Sequence, residues 1–145
     1  MAINLKQNAD MSAGLQGTDG TDGEFIVVTL PYNATAQASI LTVAGPVLSR
    51  RMIVKSIQGV PEAASTNAVT ATVYKAPSAT AIGSGTALHS GTYNLQGTAA
   101  TNQTLTLSTT SGVVDVAAGS RIGVVISGAM GAAGNGAITV TLAPA

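Results

Sequence analysis

His89 is the only histidine in this sequence, and there is no cysteine. A histidine acting as a base needs a nucleophile or an acid within hydrogen-bond reach. The serines stand in turn or strand contexts, and none sits in a nucleophile-elbow motif. His89 lies between Leu88 and Ser90 in a strand-like stretch, where a lone histidine reads as a surface or core-edge residue. Of the six acids, Asp19, Asp22 and Glu24 crowd one short stretch, GTDGTDGE. Clustered carboxylates suit a hard cation, but the full calcium-loop spacing is absent, and Asp-Gly is ordinary turn chemistry. Glu62 and Asp115 stand apart from one another, so a carboxylate pair for glycoside hydrolysis has no support in the spacing. No glycine-rich loop leads into a helix to cradle a phosphate. The residues therefore predict no catalytic, cofactor-binding or metal-binding site. One charge feature remains: Arg50-Arg51 with Lys55. Arg51 and Lys55 share strand parity and stand about 13 Å apart along a strand. They read as a solvated strand face or as a contact patch for acidic groups on a partner protein.

The elements that must carry these residues are strands. Three late segments alternate with period two: Leu105 and Leu107 against Thr104, Thr106 and Ser108; Ile122, Val124 and Ile126 against Arg121, Gly123 and Val125; Ile138, Val140 and Leu142 against Ala137, Thr139 and Thr141. Each predicts a strand with one apolar face. Their separators are glycine-rich turns. Upstream, residues 24–30 read as a buried strand ended by Pro31, which has no amide hydrogen to give a ladder. Residues 38–43 form a second strand, stopped by Ala44-Gly45-Pro46. Residues 49–60 form a third, with a change of phase that predicts a bulge near Lys55-Ser56. A loop follows at 61–67. Residues 68–75 alternate, with Val69, Ala71 and Val73 on one face. Short strands are expected at 86–89, 92–95 and 113–116. No helical periodicity of any length appears. Eight or nine strands with turn chemistry between them predict an all-β antiparallel sandwich or barrel over residues 24–145, as one domain.

Residues 1–23 have no regular pattern and predict an extended N-terminal arm. At full extension 23 residues reach about 75 Å. Ile3, Leu5, Lys6 and Leu15 are its candidate partner contacts. No stretch approaches the roughly 20 apolar residues of a membrane helix, and no signal-length apolar run lies near Met1. The formal net charge is zero, so neither nucleic acid nor an anionic membrane is an expected partner. Four aromatic residues and no Trp also argue against a single-strand nucleic-acid binder and against a sugar-binding module. Charged residues make up 8% of the chain, against about 25% in an ordinary soluble domain. A surface of Thr, Ser, Asn, Gln and Ala suits a part covered by neighbours.

Two runs, VTATVYKAPSATAIGSGTALHSGTYNLQGTAATNQTLTL at 69–107 and VAAGSRIGVVISG at 116–128, resemble the small decoration (cement) proteins of tailed bacteriophage heads. The resemblance covers about a third of the chain, in strand-and-turn patterns without a functional motif. It implies a jelly-roll sandwich that joins the outside of an assembled shell as a homotrimer. The partners would be the major capsid protein and further copies of the chain, with no small-molecule substrate. The protein would be made in the host cytoplasm and end on the outer surface of the virion. The long polar arm departs from the simplest such proteins. The alternatives are an extracellular carbohydrate-binding or adhesin-like module, and a phage tail or fibre component.

Overall fold

The computed structural model describes residues 25–33, 41–128 and 134–145. The expected arm, residues 1–23, lies outside them. The described residues form ten strands: β1 (Ile26–Asn33), β2 (Leu41–Val47), β3 (Met52–Ala63), β4 (Thr70–Pro77), β5 (Thr86–Ala87), β6 (Tyr93–Asn94), β7 (Gln103–Leu105), β8 (Asp115–Val116), β9 (Ser120–Ser127) and β10 (Asn135–Pro144). This exceeds the eight or nine expected, and the four very short pieces between β4 and β9 each overlap a segment that the sequence pattern names as a strand. A single 3-10 turn, Ile82–Ser84, is the one helical element among them.

The pairing is nested. β1 pairs with β10, β2 with β9, β3 with β7 and β8, and β4 with β5 and β6, all antiparallel. The described strands thus follow one long antiparallel hairpin whose tip lies between β4 and β5. Two further pairings, β10 with β3 and β4 with β9, roll that hairpin up. The result is two five-stranded sheets, β1-β10-β3-β7 with β8 on β3, and β2-β9-β4-β5 with β6 on β4. A rolled hairpin in two antiparallel sheets is a jelly roll.

The period-two apolar faces meet between the sheets. Val28, Leu30 and Tyr32 of β1, Met52, Val54 and Ile57 of β3, and Ile138, Val140 and Leu142 of β10 face Val69, Ala71, Val73, Ile122, Val124 and Ile126 of the other sheet, all in one buried cluster. The bulge expected near Lys55-Ser56 is present. Val54 pairs with Leu142 and Ser56 with Thr141, leaving Lys55 unpaired opposite the joint. Without that extra residue in the count, Met52, Val54 and Ile57 keep one parity and reach the core together.

The prolines do not stop strands as expected, and the sheet explains each one. β1 continues through Pro31, which pairs with Ala137. β1 is a sheet edge, where a proline nitrogen can face away from the neighbour. β2 likewise passes Gly45-Pro46 to Val47 by a register shift between Ala44 and Val47, again on an edge. β3 does not give way to a loop at Pro61. The Pro61 carbonyl accepts a bond from the Ala100 amide at 2.7 Å, on the side away from β10, so no ladder amide is missed. Leu107 lies outside the regular strands and joins His89 in an isolated bridge.

Candidate interaction surfaces

His89 is buried, and its role is set by the break between β5 and β6. The Val73 carbonyl accepts from the Leu88 amide at 2.9 Å, while the Val73 amide donates to His89 Nε2 at 2.9 Å. The imidazole thus takes the place of a strand partner that β5 is too short to supply. An Nε2 that accepts must be unprotonated, so the ring proton sits on Nδ1, 3.3 Å from the Ser90 carbonyl oxygen. Burial pushes the His89 pKa below the ordinary histidine range, opposed by backbone contacts at Ser90 and Gly91. The ring holds the ladder together and faces no nucleophile.

Two of the four aromatic residues are also structural. Tyr32 on β1 and Tyr93 on β6 join the two sheets through their hydroxyls, 3.0 Å apart, with rings edge to face at 6.1 Å between centroids. Both are buried, and burial raises both phenol pKa values. Glycines make the room. A Cβ on Gly59 would stand 2.5 Å from the Tyr93 ring, and one on Gly136 would stand 2.5 Å from the Tyr32 hydroxyl. Beside Tyr32 lies an open hollow lined by Asn33, Val60, Glu62, Asn135 and Gly136. Its one carboxylate has no second acid or base beside it in that lining. Among the described residues, no three His, Asp or Glu side chains group to hold a metal ion.

The charged side chains gather elsewhere. Arg51 Nε donates to both carboxylate oxygens of Asp115, at 2.9 and 3.0 Å, and its Nη2 completes the fork. The guanidinium holds the Asp115 carboxyl below the usual range, with Lys75 adding to the effect. Lys75 Nζ donates to the carbonyl oxygens of Gly112, at 2.6 Å, and Asp115. Partial burial lowers the Lys75 pKa against the pull of Asp115. Arg121, paired in register with Ala76 beside Lys75, donates to the Thr80 carbonyl at 2.9 Å. Lys55 is exposed at the bulge and Arg50 is half-buried before β3. Of the expected partner contacts, Arg50, Arg51 and Lys55 thus stand at one end of the sandwich, with Arg51 already engaged by Asp115. Ile3, Leu5, Lys6 and Leu15 lie outside the described residues. The Arg51–Asp115 pair has no sequence signal, since its members are 64 residues apart.

The outer face of the β1-β10-β3-β7 sheet is a different kind of surface. Register aligns Thr29, Thr139, Gln58 and Thr104 in one row across four strands. Flanking rows run Val27–Thr141–Ser56 and Pro31–Ala137–Val60. None of these side chains is charged, and Val27 is 59% exposed beside Phe25 at 58%. Lys55 and Glu62 stand at opposite ends of this face on β3.

The other sheet is partly closed on its outside. Gly123 lies on the outward parity of β9, and a Cβ there would meet the Ile82 side chain at 2.8 Å. The 3-10 turn lays buried Ile82 onto that gap.

No protein family and no curated protein matches the sequence. Among solved structures, a chain in "Structure of infectious bursal disease virus Gx strain" is similar over 83% of this chain and 32% of that one. The identity is 17% and the TM-score 0.37, and this chain spans about a third of that chain's length. The jelly-roll assignment rests on the strand pairing described above.

Proposed function

We propose that this protein is a non-enzymatic structural part of a virus particle, and specifically a decoration protein on the outside of a tailed-phage head. The observation that carries the reading is the uncharged, cross-strand-aligned outer face of the β1-β10-β3-β7 sheet. Covering Thr, Val, Pro and Ala strips water from no ion, so association over these rows avoids the desolvation penalty of buried charge. Rigid strands hold the rows in fixed register, which suits a lattice that repeats one contact many times. The resemblance of residues 69–107 and 116–128 to cement proteins points the same way, as does the low charge of the whole chain.

The mechanism is mechanical. Copies sit where capsomers meet, bury surface against both, and make their separation costlier. A ligand that binds only the assembled lattice stabilises it by mass action. The partners are the major capsid protein and two further copies of this chain, with the arm reaching a neighbour. A sugar-binding reading is weakened by the burial of Tyr32 and Tyr93, which removes two of four rings from any binding platform.

Electron microscopy of heads with and without the protein tests this. Extra density is expected on the outer surface at three-fold positions, with decorated heads surviving heat that opens bare ones. Density confined to tails or fibres, or none on any particle, overturns the proposal. Removing residues 1–16 is expected to weaken attachment.

A further inference from the structure

Two charged side chains among the described residues, Lys55 and Glu62, make no hydrogen bond or ion pair. The other charges are engaged. Arg51 holds the Asp115 carboxylate, Lys75 the Gly112 and Asp115 carbonyls, and Arg121 the Thr80 carbonyl. Arg50 is half-buried with contacts of its own. Lys55 and Glu62 are both exposed. They stand toward opposite ends of β3, roughly 20 Å apart along the strand, and cannot meet within one chain.

Glu62 lies in the lining of the hollow beside Tyr32, whose volume is about 350 Å³. Asn33 ends β1 and Asn135 begins β10, and register sets the two opposite one another there. The hollow therefore opens at the end of the sandwich away from Lys55. Among the described residues, no cation lines it. Asn135 Oδ1 is buried without a hydrogen-bond partner among the described residues. That acceptor has already lost its water, so a donor brought to it meets no dehydration cost on its side. The amide torsion of an asparagine is soft, and a small rotation presents the oxygen to the hollow. Val60 and Ala137 add an apolar wall, suited to the methylene stem of a lysine. A carboxylate, an unused amide oxygen and an apolar wall together fit a primary ammonium on a long stem. Lys55 is such a group, left unused at the other end of the same strand. We infer that the hollow takes the Lys55 side chain of a second copy, with Glu62 as the counter-charge. The contact is head to tail, since each copy offers a lysine at one end and a hollow at the other. Contacts of this kind close into rings or run on as filaments. The inference rests on the capsid reading only for a ring of three.

Zero-length carbodiimide coupling joins an amine to a carboxylate only where the two touch. In an equal mixture of isotope-labelled and unlabelled full chain, a Lys55–Glu62 amide is expected in peptides of mixed isotopic origin. Lys55→Ala and Glu62→Gln should each weaken self-association on the order of tenfold in sedimentation, with melting temperatures unchanged because both side chains are exposed. Lys55→Arg should keep the association and lose the coupled peptide, since a guanidinium still pairs with the carboxylate but is not coupled. Coupling of Lys55 to a different acid, coupling of Glu62 to a different lysine, or association that neither substitution weakens overturns the inference. A monomer at every concentration overturns it too, and leaves decoration of heads by single copies standing, which electron microscopy decides separately.

Discussion

At the scale of single residues, the buried hydroxyls of Tyr32 and Tyr93 satisfy one another, and the pair sets what a substitution does. Tyr93→Phe leaves the Tyr32 hydroxyl without its partner. A buried group so stranded costs about 1–3 kcal/mol, which denaturant unfolding would register. Tyr32→Phe/Tyr93→Phe removes both hydroxyls, and its cost should fall well below the sum of the single changes. Equal additivity would mean the two hydroxyls do not interact. His89 makes a pH-dependent contribution of known sign. Its folded pKa lies below the unfolded value near 6.5, so on acidification the unfolded chain takes up a proton that the folded chain refuses. Stability is therefore whole above pH about 6.5 and falls below it, by up to about 1.4 kcal/mol per pH unit, until the folded pKa is reached. Unfolding scans from pH 7.5 to 5 should show this slope in the parent and lose it in His89→Gln. Decoration of particles at pH 7.5 by His89→Gln should be unimpaired.

At the scale of elements, the bulge in β3 makes an unusual prediction. Lys55 has no partner on β10 at this bulge, so deleting it should leave Met52, Val54 and Ile57 on the core face and unfolding still cooperative. Deleting Gln58 instead turns Gly59 and Pro61 outward and Val60 inward, placing a new side chain where only Gly59 fits against Tyr93. That variant should fail to fold, and circular dichroism with thermal melts separates the two outcomes. The bulge was readable because a change of apolar phase is a local signal. So was the alternation that puts Val69, Ala71 and Val73, and the apolar residues of β9 and β10, each on one face. The prolines misled because their effect depends on which side of a strand faces a neighbour, and sheet order is non-local. Pro31 and Pro46 lie on edges and Pro61 faces the Ala100 amide, facts written in distant segments. For the same reason the charged residues were legible as a patch at Arg50, Arg51 and Lys55, while the capture of Arg51 by Asp115 was not.

At the scale of the molecule, few charges keep copies apart. Trimers are the expected state, and sedimentation at micromolar concentration checks it. A monomer both there and on the particle would remove the trimer from the proposed function. The nested pairing also bears on synthesis. A strand made early in β1 has its partner in β10, more than a hundred residues later. At about 5–20 residues per second, a ribosome needs roughly 6–20 s to make the stretch between them. Through that interval Val27 and the core face of β1 have no ladder to join, while β4 meets β5 almost as soon as both emerge. The tip of the hairpin is thus available first and the outermost strands last. Nascent chains halted before residue 134 should hold the β4–β6 corner without a closed sandwich, and would expose β1 to chaperones for as long as the halt lasts.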